Sequence, residues 1–285
     1  MSLAAVSGAT TVVGVMGTPV KHSLSPRIHN AAFVEAGLDW VCVAFETPEG
    51  HAGEAVRGIR ALGIAGMSVT MPHKQAVIRH LDELSPDAAV LDAVNCIVNA
   101  DGKLIGLNTD GDGFVAGLSH DFGVEAQSQR CAIIGAGGAA RSVILALARH
   151  GASEIAIINR TESKSVAAAA LSPAAFVGSQ ADIENADLVI NATSIGMNKP
   201  QTGDGSELLY PCDPALLHEG QTVVDLIYSP ITTPWLREAA NAGAVTSNGI
   251  SMLVHQAAVA FSAWTGQSAP VEAMSHAVTA HLGDS

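Results

Sequence analysis

A glycine-rich turn between an apolar strand and an apolar helix constrains this sequence more than any other feature. Cys131 to Ile134 form a short apolar run, and Gly135-Ala136-Gly137-Gly138-Ala139-Ala140 follows directly, before an apolar segment that ends near His150. The first glycine of such a turn permits a sharp bend, and the second lets a pyrophosphate approach the backbone. The small last residue allows the helix to pack closely against the strand. The pattern predicts a Rossmann-type βαβ unit that binds a dinucleotide.

The residues after the next predicted strand indicate which dinucleotide binds. Glu154 to Ile158 form this strand, and Asn159-Arg160-Thr161 follow it, with Lys164 close by. A site for NAD usually has an acidic residue here, which binds the ribose hydroxyls. A guanidinium instead matches a phosphate through two parallel hydrogen bonds. We therefore expect NADP(H) as the cofactor, with an arginine on an ordinary surface loop as the alternative.

Three further apolar runs, at residues 187–191, 222–226 and 244–246, predict additional strands. Thr193 lies in the polar loop that follows the first of these runs. This loop is suited to line a nicotinamide, although many βα loops look similar. Tyr228 follows the second run and could bring a phenol to a ligand.

The N-terminal part of the chain alternates strands and helices in the same way. Apolar runs at residues 11–17, 40–45 and 64–69 are typical of buried strands, and helical patterns separate them. This alternation predicts a parallel sheet and an α/β fold. Ala100-Asp101-Gly102 is a turn signal between two further apolar runs, which predicts a hairpin.

Thr70-Met71-Pro72-His73-Lys74 lies just beyond the third of these strands, where α/β proteins present groups to ligands. Apolar residues from Gln75 onward have helical spacing, which predicts that Lys74 lies at the start of a helix. A cation is unfavourable beside the positive end of a helix dipole. This placement favours a carboxylate partner or a role in proton transfer over a solvated surface lysine. Asp110, in the predicted loop Asn108-Thr109-Asp110-Gly111, could supply the carboxylate.

Two hydroxyls and one amide are further candidates for ligand binding. Ser25 suits the N-cap of the helix that Pro26 begins, whereas Ser23 has no such role. Two hydroxyls beside a helix N-terminus could bind a carboxylate, although a purely structural cap is the alternative for Ser25. Gln256 lies off the apolar face of the last predicted helix, residues 249–264, so it could reach a ligand or be solvated.

The composition limits the compartment and the partners. A formal charge of −13 and a pI near 5.1 argue against nucleic acid or an anionic membrane surface as a partner. The four cysteines form no Cys-x-x-Cys pair and the eleven histidines show no metal-ligand spacing, so we expect free thiols and no metal site. The sequence shows neither a signal-peptide pattern nor an apolar run long enough to span a bilayer. We therefore expect a soluble cytoplasmic protein.

Together these motifs resemble those of the shikimate dehydrogenase family, and the resemblance covers nearly the whole chain. It is carried by the order and spacing of Ser23-Leu24-Ser25-Pro26, Val69-Thr70-Met71-Pro72-His73-Lys74, Ala93-Val94-Asn95, Asn108-Thr109-Asp110-Gly111, the glycine-rich turn, Asn159-Arg160-Thr161 and Met252-Leu253-Val254-His255-Gln256-Ala257. The resemblance implies a two-domain α/β fold. Residues 1–110 would form an α/β substrate-binding domain that C-terminal helices, residues 249–285, complete. Residues 111–248 would form a Rossmann-type NADP-binding domain with a parallel sheet.

The resemblance also implies roles for matching positions of this chain. Lys74 and Asp110 would be the catalytic pair. The positions implied for substrate binding are Ser23 and Ser25 for a carboxylate, with Thr70, Asn95 and Gln256 for the ring oxygens and Tyr228 nearby. The positions implied for the cofactor are Gly135, Ala136, Gly137, Gly138, Ala139, Asn159, Arg160, Thr161, Lys164, Thr193, Leu226 and Gly249.

The implied activity is the reversible, NADPH-dependent reduction of 3-dehydroshikimate to shikimate, a small anionic cyclic substrate, by a monomer or a homodimer. This reaction would belong to aromatic amino acid biosynthesis. Oxidation of quinate or aminoshikimate is the nearest alternative, and a catalytically silent nucleotide-binding regulator is another. Ser68 and Cys96 stand where the family often has asparagine and threonine, which leaves the fine specificity open. Lys164 stands where an arginine often makes a second phosphate contact.

Overall fold

The structure, a computed structural model, describes residues 6–197 and 210–283 of the chain. Within these ranges strands and helices alternate along the sequence. None of the described helices combines the length and the apolar character that crossing a membrane requires.

The chain divides into two compact units. The first comprises Met1–Gly113 and Val254–Ser285, and the second comprises Phe114–Leu253. Both divisions fall inside helices, α4 (Asp110–Phe122) and α9 (Ile250–Thr265), rather than in loops. The predicted boundaries of the functional domains lie at the beginnings of these same helices and stay predictions.

The first unit is built on a mixed sheet. Its strands, in chain order, are Thr11–Gly17 (β1), Trp40–Glu46 (β2), Gly66–Val69 (β3), Glu83–Leu84 (β4), Cys96–Ala100 (β5) and Lys103–Leu107 (β6). They lie side by side in the order β2-β1-β3-β5-β6-β4. β1 is parallel to β2 and β3, as the alternation of strands and helices predicts. The predicted hairpin of β5 and β6 is confirmed, and because β5 is also antiparallel to β3, the sheet is not wholly parallel.

Helices from both ends of the chain contribute to this unit. They are α1 (Ser25–Glu35), α2 (Ala52–Ala61), α3 (Pro86–Leu91), the C-terminal part of α9, and α10 (Val271–Gly283). α1 packs against both β2 and α10, so C-terminal residues complete the N-terminal unit. The predicted N-cap at Ser25 is wrong, because Leu24 is the N-cap and Ser25 is the first helical residue.

Trp264, on α9, attaches the C-terminal segment to the sheet. Its indole Nε1 donates a hydrogen bond to the backbone oxygen of Ile97 on β5, at 3.0 Å. The same ring lies on Gly66 of β3, where an added Cβ would stand 2.2 Å from Nε1. Only a residue without a side chain leaves room for the indole at this point, so the packing of α9 depends on Gly66.

The second unit is a doubly wound Rossmann fold. Its strands are Arg130–Ile134 (β7), Glu154–Ile158 (β8), Ala175–Val177 (β9), Leu188–Asn191 (β10), Thr222–Asp225 (β11) and Val245–Ser247 (β12). They lie in the order β12-β11-β10-β7-β8-β9, and every described pair is parallel. Counted from β7, this is the order 6-5-4-1-2-3, in which the strand order reverses between β7 and β10. The predicted Rossmann-type parallel sheet is confirmed.

The helices of the second unit are α5 (Gly138–Arg149), α6 (Glu162–Ala169), α7 (Gln180–Glu184) and α8 (Pro234–Asn241), together with α4 from Phe114 onward. Phe114, Val115 and Leu118 of α4 are buried in one apolar cluster with residues of β7, β8 and α5. Ligands of such folds bind outside the carboxyl ends of the strands, near the point where the strand order reverses. The glycine-rich turn after β7 lies at this end of the sheet.

A pair of glycine substitutions tests the packing of Trp264. We expect Gly66→Ala to lower the free energy of unfolding by about 1–3 kcal/mol, because the new methyl group displaces the indole from its buried position. Gly58→Ala is the control: Gly58 lies inside α2 with no atom within 4 Å of an added Cβ, so it should gain about 0.5–1 kcal/mol. Urea unfolding of both variants measures the difference. Equal stability of the two variants would contradict the packing described for Trp264.

Candidate active site

Lys74 and Asp110 form an ion pair in the first unit. The distance from Lys74 Nζ to Asp110 Oδ2 is 2.6 Å, and the two side chains are 34% and 12% exposed. The predicted partnership of these residues is therefore present in the structure. An ammonium held by one carboxylate and still partly open to solvent can exchange a proton with a bound ligand.

The structure corrects the local setting of Lys74. The predicted helix after Gln75 is wrong, since the chain forms only a short 3-10 turn, Ile78–His80, and then turns extended at Leu81. β4 follows at once and pairs with β6, and this pairing takes precedence over the helical spacing of the apolar residues. Lys74 therefore does not lie at the positive end of a helix dipole. Its ion pair with Asp110 is what distinguishes it from a solvated surface lysine.

Asp110 is the first residue of helix α4, so the prediction of a loop around it is wrong. Asp110 and Asp112 lie in the first turn of the helix, where the helix dipole favours a negative charge. The Asp110 backbone N–H donates to Asn108 Oδ1 at 3.2 Å, and Asn108 Nδ2 in turn donates to the Ala93 carbonyl. The helix start is thus fixed to the segment that precedes β5.

Asn95 orients the carboxylate of Asp110. Its Nδ2 donates to Asp110 Oδ1 at 2.8 Å, while its Oδ1 accepts the backbone N–H of Thr109 at 2.8 Å. Both carboxylate oxygens are therefore engaged, one by Asn95 and one by Lys74. Asn95 is itself buried, and its backbone carbonyl accepts a hydrogen bond from Val69 at the end of β3.

Backbone hydrogen bonds hold the turn that carries Thr70 and Lys74. Thr70 N donates to Met16 O, and Thr18 N donates to Met71 O. His73 is only 1% exposed, and its Nε2 lies 2.7 Å from the carbonyl oxygen of Thr47. The sequence analysis assigned no role to His73. The imidazole's place in the motif Thr70-Met71-Pro72-His73-Lys74 was the signal that could have identified it.

Ser23 and Ser25 lie together at the start of α1. Ser23 Oγ accepts the backbone N–H of Ser25 at 3.3 Å and donates to Ser25 Oγ at 3.2 Å. No side chain caps this helix, and both serines are partly exposed. The arrangement presents two hydroxyls beside a helix N-terminus, and their role in binding a carboxylate stays a prediction.

Gln256 lies where α9 crosses α4. An added Cβ at Gly113 would stand 2.4 Å from the Gln256 backbone nitrogen, so the two backbones touch at this point. Gly113 follows Asp110 by one helical turn. The structure thus brings Gln256 close to the catalytic candidates. Tyr228, the remaining predicted substrate residue, belongs to the second unit.

Ser68 and Cys96 are direct partners in the pairing of β3 with β5. Cys96 is buried, and burial raises the pKa of its thiol to about 12. Such a thiol stays neutral and unreactive. The effect of these two residues on substrate specificity stays a prediction.

The glycine-rich turn of the second unit has the conformation that dinucleotide binding requires. Gly135 has φ +117°, and an added Cβ there would stand 3.0 Å from the carbonyl oxygen of Ala192. Gly137 and Gly138 begin α5, are exposed, and have open space where a Cβ would be. Open backbone N–H groups at a helix start form a cradle for phosphate, so these residues fit a dinucleotide.

The loop after β8 presents two cations beside that turn. Arg160 and Lys164 are exposed, and Asn159 Nδ2 donates to the Thr161 carbonyl at 2.9 Å, which shapes the loop. Thr161 is the N-cap residue of α6. The binding of a ribose phosphate by these side chains stays a prediction.

Leu226 and Gly249 approach each other closely at the end of β11. An added Cβ at Gly249 would stand 2.1 Å from the Leu226 carbonyl oxygen, so no other residue fits without movement of the backbone. Gly249 N donates to the Ile227 carbonyl at 2.9 Å. Both predicted cofactor positions are therefore parts of one tight contact.

Asp225, the last residue of β11, was missed by the sequence analysis. It is fully buried, and burial raises the pKa of its carboxyl to about 6, although hydrogen bonds from Thr233, Ile227 and Asn191 act in the opposite direction. An acidic residue ending an apolar strand was the signal that could have identified it.

Comparison with known proteins gives the family. Three family models match: the shikimate dehydrogenase substrate binding domain over residues 15–97, shikimate / quinate 5-dehydrogenase over residues 118–200, and the shikimate 5'-dehydrogenase C-terminal domain over residues 249–279. A shikimate dehydrogenase (NADP+) of Methanopyrus kandleri is 43% identical over 97% of this chain and 98% of that protein. This chain belongs to the shikimate dehydrogenase family. The shikimate dehydrogenase (NADP+) of Moorella thermoacetica is 41% identical over 98% of this chain and 96% of that protein.

Solved structures of the shikimate dehydrogenase family share the fold. A shikimate dehydrogenase in complex with NADP+ has a TM-score of 0.89 and 39% identity, with 97% of each chain covered. The shikimate 5-dehydrogenase of Listeria monocytogenes, in complex with shikimate and NAD, has a TM-score of 0.88 and 33% identity, over 96% of this chain and 98% of that one. A quinate dehydrogenase of Corynebacterium glutamicum, in complex with NAD, has a TM-score of 0.85 and 29% identity, over 95% and 99%.

The raised pKa of Asp225 predicts how stability depends on pH. The folded protein holds this proton more tightly than the unfolded chain, whose carboxyl has a pKa near 3.8. The stability that the protonated Asp225 adds to the folded state is fully present below the pKa of 3.8 in the unfolded chain. It is lost as the pH rises through about 6. The shift corresponds to on the order of 3 kcal/mol between about pH 4 and about pH 7. Asp225→Asn should remove it, which urea unfolding at both pH values can measure. The same pH dependence in variant and parent would contradict this account.

Proposed function

We propose that this chain is an NADP-dependent shikimate dehydrogenase, which reduces 3-dehydroshikimate to shikimate and catalyses the reverse oxidation. The observation that carries the proposal is the Lys74–Asp110 ion pair, at 2.6 Å, in a chain that also has a phosphate-binding turn. An ammonium and a carboxylate in this arrangement suit proton transfer to an oxygen at which charge develops. The named activity of relatives that align over nearly the whole chain supports the same reaction.

In the proposed reaction Lys74 acts as the general acid. Bound NADPH would supply the hydride that reduces the ring carbonyl carbon. Lys74 donates a proton to the oxygen as it becomes an alkoxide, and in the reverse direction Lys74 accepts the hydroxyl proton. Asp110 holds the ammonium in place and stabilises its charge, and Asn95 fixes the orientation of Asp110 through the bond to Oδ1. Acid–base help of this kind contributes roughly 10²–10⁴-fold to the rate.

We propose that hydroxyl and amide groups orient the substrate. Ser23 and Ser25 bind its carboxylate, supported by their adjacent hydroxyls at the start of α1. The groups proposed to bind the ring oxygens are Thr70, Asn95 and Gln256, with Tyr228 close to the substrate. An overall charge of −13 opposes an anion, so these local donors must provide the attraction.

We propose that the second unit binds NADP(H) through its backbone and two cations. The open N–H groups at Gly137 and Gly138 bind the pyrophosphate, and Arg160 with Lys164 binds the ribose phosphate. Thr193, Leu226 and Gly249 line the remainder of the site. The absence of an acidic residue in Asn159-Arg160-Thr161 favours NADP over NAD.

We further propose a cytoplasmic location and a role in aromatic amino acid biosynthesis. Free, buried cysteines suit a reducing compartment. The number of subunits, one or two, stays a prediction.

The quinate and aminoshikimate dehydrogenase activities are the nearest rivals, and steady-state kinetics separates them. We expect a higher kcat/KM for shikimate with NADP+ than for any other pairing of shikimate, quinate or aminoshikimate with NADP+ or NAD+. A phosphate-binding Arg160 gives the cofactor preference its physical reason. The rates of reduced-nicotinamide formation, measured for all six pairings, test this. A larger kcat/KM for quinate with NAD+ would overturn the proposal. No turnover of shikimate, quinate or aminoshikimate with either cofactor would favour the catalytically silent regulator.

Replacing Lys74 tests the mechanism. Lys74→Ala should lower kcat by roughly 10²–10⁴-fold, because the general acid is lost, while the affinity for NADPH stays that of the parent. Initial-rate absorbance assays measure kcat, and calorimetric titration with NADPH measures the affinity.

Lys103→Ala is the matched control for Lys74→Ala. Lys103 also forms an ion pair, with Glu83, in the same unit, but both partners are exposed. Its removal should leave kcat unchanged. Near-normal turnover of Lys74→Ala would refute the assigned role of Lys74.

A further inference from the structure

A buried side-chain pair, Asp225 and Asn191, lies where strands β10 and β11 end. The two residues are register partners in the parallel pairing of these strands, and both have no exposed surface. Asn191 Nδ2 donates to Asp225 Oδ1 at 3.0 Å. β10 is also the strand beside β7, so Asn191 stands next to the reversal of strand order where dinucleotides bind.

Asn191 shapes the loop that begins with Ala192. Its Oδ1 accepts the backbone N–H of Thr193 at 3.0 Å and the Thr193 hydroxyl at 2.7 Å. The Thr193 hydroxyl in turn accepts the backbone N–H of Ile195 at 3.1 Å. This loop touches the glycine-rich turn, because an added Cβ at Gly135 would stand 3.0 Å from the Ala192 oxygen and 3.2 Å from Thr193 Cγ2.

Asp225 shapes the loop after β11. Its Oδ1 also accepts the backbone N–H of Ile227 at 3.1 Å, and its Oδ2 accepts the Thr233 hydroxyl at 2.8 Å. The carboxylate thereby spans the loop from its beginning to the start of α8, where Thr233 is the N-cap residue. Leu226, at the beginning of this loop, makes the tight contact with Gly249.

The pair supports two loops directly, the loop after β10 at Thr193 and the loop after β11 at Ile227 and Thr233. Each loop in turn touches one further proposed cofactor position, Gly135 through Ala192 and Gly249 through Leu226. Among the residues described, no salt bridge reaches Asp225, so its charge is balanced by hydrogen bonds alone. Burying a carboxylate without a cation is costly. A carboxylate of this kind at a ligand-binding edge is therefore a candidate for a functional role.

We infer that Asp225 and Asn191 are positioning residues of the NADP(H) site, which hold the loops that follow β10 and β11 in the cofactor-binding conformation. This inference rests on the proposed function of the chain. Neither residue needs to touch the cofactor, because both act through the backbone of the loops that they support.

Three substitutions and a control test the inference. Asp225→Leu keeps the branched shape of the side chain but removes both acceptor oxygens. Thr233→Val removes the Thr233 hydroxyl without changing the size of the residue, and Thr233→Ser retains it. Gln221→Met is the control. Gln221 is equally buried and lies just before β11, at the end of the strand opposite Asp225. Its side chain bonds to the Ile183 and Ala186 carbonyls and to the His218 N–H.

We expect a selective loss of cofactor affinity. In Asp225→Leu and Thr233→Val the dissociation constant of NADPH, titrated by calorimetry without substrate, should rise about fivefold or more, as the loss of at least one hydrogen bond predicts. KM for NADP+ should rise in parallel, while kcat at saturating NADP+ stays within about threefold of the parent, since the loops re-form around bound cofactor. Thr233→Ser should bind NADPH within about twofold of the parent. Gln221→Met should melt at a lower temperature yet bind NADPH like the parent.

Several outcomes would overturn the inference. One is parental NADPH affinity in Asp225→Leu and Thr233→Val, and another is an equal loss of affinity in Gln221→Met, which would indicate general destabilisation. If Asp225→Leu does not fold, the comparison of Thr233→Val with Thr233→Ser still decides. A parent protein that fails to bind NADPH would refute the proposed function instead. A parent that oxidises shikimate, beside variants with unchanged affinity, would refute only the positioning role.

Discussion

The carboxylate of Asp110 is the group on which the first unit's polar site depends. Three separate segments meet at it: the turn after β3 through Lys74, the residue before β5 through Asn95, and the start of α4 through Asp110 itself. A carboxylate with both oxygens engaged has one orientation, and the helix dipole favours its charge. Within residues 6–197 and 210–283 the Lys74 ammonium bonds to Asp110 alone, so its position follows from Asp110 rather than the reverse.

In the second unit the important feature is the backbone at its glycines. The glycines act in two ways. Gly137 and Gly138 leave open space for a ligand at the start of α5, whereas Gly135 and Gly249 allow protein segments to meet almost without a gap. The first pair leaves open space beside the turn, and the second pair allows the carbonyls of Ala192 and Leu226 to approach closely.

Most of the fold was predictable because its signals are local. Apolar runs identified β1 and β8 at their observed bounds and β7 to within one residue, Asp101-Gly102 identified the hairpin, and the glycine-rich turn identified the Rossmann unit. The errors arose where distant partners decide the local structure. The residues after Gln75 have helical spacing, yet β4 pairs with β6 twenty residues away and interrupts any helix.

The missed helix and the missed acid have a common cause. Two glycines among Asp110, Gly111, Asp112 and Gly113 indicate a loop, since glycine disfavours helices. Gly113 is required instead by the crossing with Gln256, which no local pattern reveals. Asp225 was likewise inconspicuous, because its role depends on partners at residues 191 and 233. The Lys74–Asp110 ion pair was predictable only because the lysine and the acid each stood in a conspicuous motif.

The position of Trp264 has a consequence for how the protein is made. The N-terminal sheet is synthesised first, but the indole that covers Gly66 and binds the Ile97 carbonyl lies 198 residues after Gly66 and 167 residues after Ile97. The whole of Phe114–Leu253 must leave the ribosome before the first unit can bury that surface. The inserted Rossmann unit, Phe114–Leu253, is completely synthesised before Trp264 is. Because domains generally fold as units during synthesis, it can fold before the first unit is complete. The nascent N-terminal sheet therefore spends the intervening time with an uncovered apolar face, and that interval is when the chain most needs protection from aggregation.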